Sequence, residues 1–168
     1  DEGFESLTLV QTGKSDPRPI IFVDEPHGRF WTPLLRFFDR QLVRGGMVSP
    51  SDRSLYQVVS SAAEAVQKIL EFYAVYHSMR YVDDWLVLRL QRSLPDGAPE
   101  QLTQEFRDLL QSGTIRQGKA LPGEADEPEL RHLPRLLLRF NRREYGRLAA
   151  LIHRINELGR TSSVTRDA

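Results

Sequence analysis

The chain has 168 residues, with 23 Lys and Arg against 23 Asp and Glu, so its formal net charge is zero and no overall field would draw it to nucleic acid or to an anionic membrane. It holds no cysteine, which excludes disulfides, thiolate metal sites and a cysteine nucleophile together and fits a cytoplasmic setting. Its longest apolar runs fall far short of the ~20 residues that a membrane helix needs, and its length suits one ordinary domain or two small ones.

Asp1-Glu2-Gly3-Phe4-Glu5 reads as the first turn of a helix already under way, because carboxylates suit a helix N-terminus and Phe4, Leu7 and Val10 recur at helical spacing until Gly13. Asp1 is not an initiator methionine, and further residues are expected upstream. Pro19 to Asp24 is apolar and branched, as expected of a strand buried on both faces in a parallel sheet. A loop from Glu25 to Trp31 follows. Thr32 is then the expected cap and Pro33 the first residue of a helix carrying Leu34, Leu35, Phe38 and Leu42. Gly45-Gly46 ends it. Ser49 to Asp52 reads as a turn or short helix start, and Leu55 to Val59 as a second strand. Ser61 and Glu64 have capping-box spacing, which starts a helix expected to reach about Val75.

The periodicity weakens between Tyr73 and Asp84, which places a domain boundary there, with residues 76–84 as a linker. Trp85 to Leu90 alternates as a half-buried strand does. Leu102, Phe106, Leu109 and Leu110 mark an amphipathic helix with Gly113 as its stop, and Thr114 to Leu121 a weaker strand. Pro122 to Glu129 reads as a loop, Arg135 to Phe140 as a strand, Arg142 to Leu158 as a helix and residues 159–168 as a disordered tail. The expected fold class is therefore α/β: residues 1–75 supply the C-terminal part of a Rossmann-like parallel sheet, and residues 85–158 a small α+β domain of order β-α-β-β-α, ferredoxin-like but short of a last strand.

Phe4 to Lys14 followed by Arg18 to Val23 resembles the Lonely Guy (LOG) family directly after its Pro-Gly-Gly-x-Gly-Thr-x-x-Glu motif, with Glu2 as the motif's final Glu. Gln11 and Gly13 match the helix end that precedes the next strand. Trp31 to Asp39, Gly46 to Pro50 and Ser60 to Ala65 resemble later family segments in the same order, so the likeness spans roughly the first 75 residues. Residues 76–158, notably Tyr76 to Tyr81, resemble the C-terminal extension of longer bacterial members. The resemblance implies a cytokinin riboside 5'-monophosphate phosphoribohydrolase type of activity: hydrolysis of the N-glycosidic bond of an AMP-like nucleoside 5'-monophosphate to free base and ribose 5-phosphate. It also implies a homo-oligomer that pairs helices across a twofold axis, and no cofactor. The glycine stretch of the motif does not occur in this chain, so the sequence reads as a C-terminal fragment that would be inactive alone.

Glu2 is the expected catalytic carboxylate, since such a bond breaks through an oxocarbenium-like state that a nearby negative charge stabilises. The plainer alternative is that Glu2 only complements the helix dipole. His27, in the loop after the first strand, is the candidate substrate-binding residue, because ligands of α/β sheets sit beyond strand C-termini; a solvated loop histidine is its plainer reading. His27, His77, His132 and His153 share no metal-ligand spacing, so no metal is expected. Arg135, Arg139, Arg142, Arg143, Arg147 and Arg154 form a basic run, but Glu144 and Glu157 intersperse it and no aromatic alternates with it, so a nucleic-acid partner is not expected. The rival of another class is a nucleotide-sensing or regulatory module in which the second half binds a small effector.

Overall fold

In the computed structural model, residues 1–25 and 27–164 are described, with side chains to residue 160, and the chain divides into two units: Asp1–Glu71 with Glu144–Ala150, and Phe72–Arg143 with the residues from Leu151 on. Pro26 of the expected loop and residues 165–168 of the expected tail lie outside the described residues. No helix among those described is long and apolar enough to cross a membrane.

The first unit is built on branched residues at the predicted places. Helix α1 (Glu2–Gln11) leads to strand β1 (Ile20–Val23), which pairs in parallel with β2 (Tyr56–Val59), Ile20 opposite Tyr56 and Val23 opposite Val59. Between them α2 (Trp31–Phe37) continues as a π-helical turn, Phe38–Val43, and a 3-10 turn covers Pro50–Leu55. Thr32 is not the cap of α2: the helix already includes Trp31, and Phe30 precedes it in helical conformation. Helix α3 (Ala62–Phe72) starts at the expected box, where the Glu64 amide donates to the Ser61 hydroxyl at 3.2 Å; the Glu64 carboxylate reaches back to the amide of Ser60, one residue before the expected partner. A reciprocal box forms instead at Ser49 and Asp52.

The first turns of helix α5 (Tyr145–Val164) complete this unit. Ala149 packs with Val10 and Leu55. Close approach is what the glycines permit here. A Cβ on Gly146 would lie 2.5 Å from the Ser51 carbonyl oxygen, and one on Gly13, which has φ +72°, would lie 2.0 Å from the Tyr145 ring.

The second unit is a four-stranded antiparallel sheet in the order β3-β4-β6-β5, from β3 (Tyr76–Val82), β4 (Trp85–Leu90), β5 (Leu110–Gly118) and β6 (Arg135–Phe140). Because β4 and β5 both run antiparallel to β6, which lies between them, they are parallel to each other, and α4 (Ala98–Glu105) is the crossover of a split βαβ unit. Residues 76–82, expected as linker, are an edge strand. They fill the place beside β4 for which the sequence supplied no final strand. The weak periodicity of Tyr76–Val82 has a cause in its pairing: a register shift between Tyr76 and Ser78 breaks the alternation, and the buried positions fall at Tyr76, Met79 and Val82.

Leu86, Leu88 and Leu90 of β4, with Leu136 and Leu138 of β6, are wholly buried, as are Leu102, Leu109, Leu151, Ile152 and Ile155. Three boundaries differ from expectation. Gly113 is not a helix stop; at φ +73° it sits in the irregular stretch of β5 between Ser112 and Arg116, a bulge being the other place where positive φ is needed. Arg142 cannot open α5, since its φ is +58° and the helix starts at Tyr145. Gly159 does not end α5, which runs on to Val164: its missing side chain admits Val75, whose Cγ2 would lie 2.6 Å from an added Cβ.

On the opposite face, Arg89 and Arg135 stand directly across from each other on β4 and β6, both buried. Glu124, equally buried, accepts from Arg89 Nε at 2.9 Å and from Arg135 Nε at 3.2 Å. Burial alone would raise the Glu124 carboxyl, but the Arg135, Leu121 amide and Arg89 hydrogen bonds outweigh it and hold it below its ordinary value. Glu127 bridges Arg89 and Arg80, whose hydrogen bonds lower it from 4.5 to about 2. A depressed carboxyl contributes stability that is complete above its unfolded value and lost as pH falls through the folded one. The melting temperature of Glu127→Gln is therefore expected to fall less steeply than that of the wild type between pH 4.5 and about 2. Parallel curves would show that Glu127 does not sense acid in this way.

Candidate functional site

The face of the first unit that α1 and β1 share begins at Gly3, where an added Cβ would lie 3.2 Å from the Phe22 ring, so the first turn of α1 lies on β1. Asp1 occupies the N-cap without a side-chain hydrogen bond, which leaves the first amides of α1 without a capping side chain. Glu2 projects from that turn almost fully exposed. At the same, C-terminal end of β1, the Asp24 amide donates to the Val59 carbonyl at 2.8 Å and the Trp31 indole N–H to the Val23 carbonyl at 3.2 Å, which fixes the loop at both of its ends.

His27 is exposed at the tip of that loop with φ +65°, beside the turn closed by the Gly28 amide on the Glu25 carbonyl. Among the described residues no hydrogen bond or ion pair joins His27 to Glu2. The loop does bring aromatic rings together: Phe22 and Trp31 lie 4.4 Å apart by centroid and Phe30 meets Trp31 edge-on at 5.0 Å. Phe30 is 76% exposed. An exposed ring held by a fixed neighbour is a surface on which a flat base can stack.

A cavity of about 180 Å³ lies between α1, the π-helical turn and the 3-10 turn, walled by Phe4, Leu7, Phe38, Leu42 and Leu55. Asp52 also lines it, accepting from the Gln11 amide at 2.6 Å and from the Ser49 N–H at 3.1 Å. Burial raises the Asp52 carboxyl; the Gln11 and Ser49 hydrogen bonds oppose this, and the Glu144 charge adds to it. The sequence marked Gln11 only as a helix end and Asp52 only as a turn residue. Their 41-residue separation left no local signal of the pairing.

The described residues contain no group of three His, Cys, Asp or Glu able to hold a metal ion. Within residues 1–69, Lys14 is exposed and Lys68 is paired with Glu71 at 3.1 Å, so neither is the desolvated amine that Schiff-base chemistry requires.

Residues 1–69 match the family described as "Possible lysine decarboxylase". The match supports that family, and with it LOG-type proteins, broadly for this stretch, which is the stretch holding Glu2, His27 and the aromatic loop. It leaves the second unit unassigned. No curated protein and no solved structure matches the chain significantly.

Proposed function

We propose that the first unit is the post-motif part of a nucleoside 5'-monophosphate phosphoribohydrolase, and the observation that carries this is the family match across residues 1–69, which begins on the turn bearing Glu2. The uncapped amides of that turn suit a 5'-phosphate. Glu2 then lies close to the sugar, stabilises positive charge as the bond from C1' to the base nitrogen breaks, and orients the water whose hydroxyl adds to C1' while its proton goes to the departing base. Phe30, against Trp31, offers a stacking face for that base, and His27 a polar contact at the same loop. No Gly-Gly-x-Gly-Thr run occurs in the chain, so the phosphate cradle of the reaction is only partly present in it.

The test compares adenine release from AMP by three proteins. The chain as it stands should turn over far more slowly than a typical enzyme, for which about one per second is slow. The chain joined to a segment that carries the glycine motif should release adenine, and its Glu2→Gln form should lose about 10²-fold or more in kcat with phosphate-dependent ligand affinity retained. Unchanged turnover in Glu2→Gln would reassign Glu2 to helix-dipole complementation.

A further inference from the structure

The sheet face opposite α4 carries Arg80, Arg89, Arg116, Arg135 and Arg139. Cross-strand pairing fixes this: Arg80 faces Val87, Val87 faces Leu137, and Leu137 faces Arg116 in one row, Arg89 and Arg135 occupy the next row, and Arg139 lies two residues along β6 from Leu137. The loop between β5 and β6 folds over one end of the face and matches Arg80, Arg89 and Arg135 with Glu124, Asp126 and Glu127. Arg116 and Arg139, at the other end, have no carboxylate within ion-pair distance among the described residues. Both guanidinium groups instead lie over the Trp85 ring, 4.4 Å and 5.2 Å from its centroid. Trp85 rests on Val82, Val87 and Leu137 and is half-buried, while Arg116 is exposed.

Two like charges held beside each other without a counter-ion repel, and if they served only to cover Trp85 an apolar or neutral side chain would do so without that cost. Stacking on an indole restricts the guanidinium planes and leaves their N–H groups available to phosphate oxygens, with the outer guanidinium face open to a base. At the same end of the sheet, an open recess lined by Arg142 and Arg143 with Asn141 and Gln111 lengthens the cationic track; Asp84 is its acidic member. A single small anion would use one part of this track. A chain of phosphates with unpaired bases would use all of it.

We propose that this corner of the second unit, built from Trp85, Arg116 and Arg139 and extended by Arg142 and Arg143, is a binding surface for single-stranded nucleic acid. Three of these residues come from three different strands, so no stretch of sequence alternates arginine with an aromatic, and the basic run read along the chain from Arg135 to Arg154 shares only Arg139, Arg142 and Arg143 with it: Arg135 is buried on Glu124, and Arg154 is paired with Glu105 and Glu157.

The experiment measures fluorescence anisotropy of a short labelled oligouridylate against the full chain as salt is raised. Binding at low salt should weaken at least tenfold in Arg116→Gln/Arg139→Gln, with the slope of log affinity against log salt flattened by about 1.4, the value for two phosphate contacts on a single strand at ~0.7 each. Arg116→Lys/Arg139→Lys should restore the salt slope but not the full affinity, because it keeps the charge and loses the stacking. The exposed single variant Arg116→Gln reads the same loss in part if the double variant does not fold. Absence of binding at low salt, binding unchanged in the Gln variants, equal affinity for polyglutamate, or saturation by inorganic phosphate alone would each overturn the proposal. The readout is independent of adenine release, so it stands or falls separately from the reading of Glu2.

Discussion

Glu124→Gln is expected to destabilise the second unit by about 3–5 kcal/mol, the usual cost of removing one partner from a buried ionic group. Arg89 and Arg135 would then face each other across β4 and β6, both almost without solvent, with their remaining carboxylate, Glu127, reaching only Arg89. The Arg135 guanidinium would keep the Leu133 and Leu130 carbonyls as acceptors but no counter-charge. Domains of this size have total stabilities of roughly 5–15 kcal/mol, so the loss would show as a large fall in denaturant midpoint or as failure to fold. Replacing Arg89, Glu124 and Arg135 together by apolar residues of similar volume should cost much less, because that change leaves no charge behind. A Glu124→Gln loss below about 1 kcal/mol would mean that water or a rearranged Glu127 reaches the arginines.

Asn156→Leu is expected to be nearly as damaging, for a reason that involves no charge. The Asn156 side chain is buried and makes four hydrogen bonds: its oxygen accepts from the amides of Val75 and Tyr76 at 2.8 and 3.0 Å, and its nitrogen donates to the carbonyls of Phe72 and Ile152 at 2.7 and 3.0 Å. Leucine has almost the same shape and none of these groups. Two amides at the passage from α3 into β3 would lose their acceptor, each at about 1–3 kcal/mol. Asn156→Asp should be less harmful than leucine to those amides yet still poor, because a carboxylate cannot donate to Phe72 or Ile152. Urea unfolding of the three proteins gives the order. If Leu and Asn prove equally stable, water must enter the turn and replace the side chain.

Elements whose periodicity lies in their own residue order were legible in the sequence, although β4, expected to be half-buried, is buried on both faces and Phe4 of α1 is exposed. Strand β4 declares itself by Leu86, Leu88 and Leu90, and α1 by Phe4, Leu7 and Val10. The failures share a different cause, which is that a partner far along the chain decides the outcome. Strand β3 has mixed, bulged periodicity and is held by β4, so Tyr76–Val82 read as a linker. Gly159 reads as a stop to any local rule, and only Val75 and Leu94 lying against it explain why the helix passes through. The same limit applies to the sites. Glu2 is a candidate only from the order of motifs around it, whereas the pairings of Asp52 with Gln11, and of Trp85 with Arg116 and Arg139, exist only once distant segments are paired.

Both margins of the antiparallel sheet are irregular: β3 shifts register between Tyr76 and Ser78, and β5 shifts twice, around Ser112, with Gly113 at positive φ in the second irregular stretch. A regular outer ladder would offer a row of free amides and carbonyls on which another chain could add a strand. Here such an incoming strand would meet mismatched spacing at either margin. Growth of this sheet from molecule to molecule is thus discouraged by the backbone itself, and a form of the protein cut between Tyr76 and Val82 would lose one of these guards and leave the straight, leucine-rich flank of β4 open to fibrous aggregation.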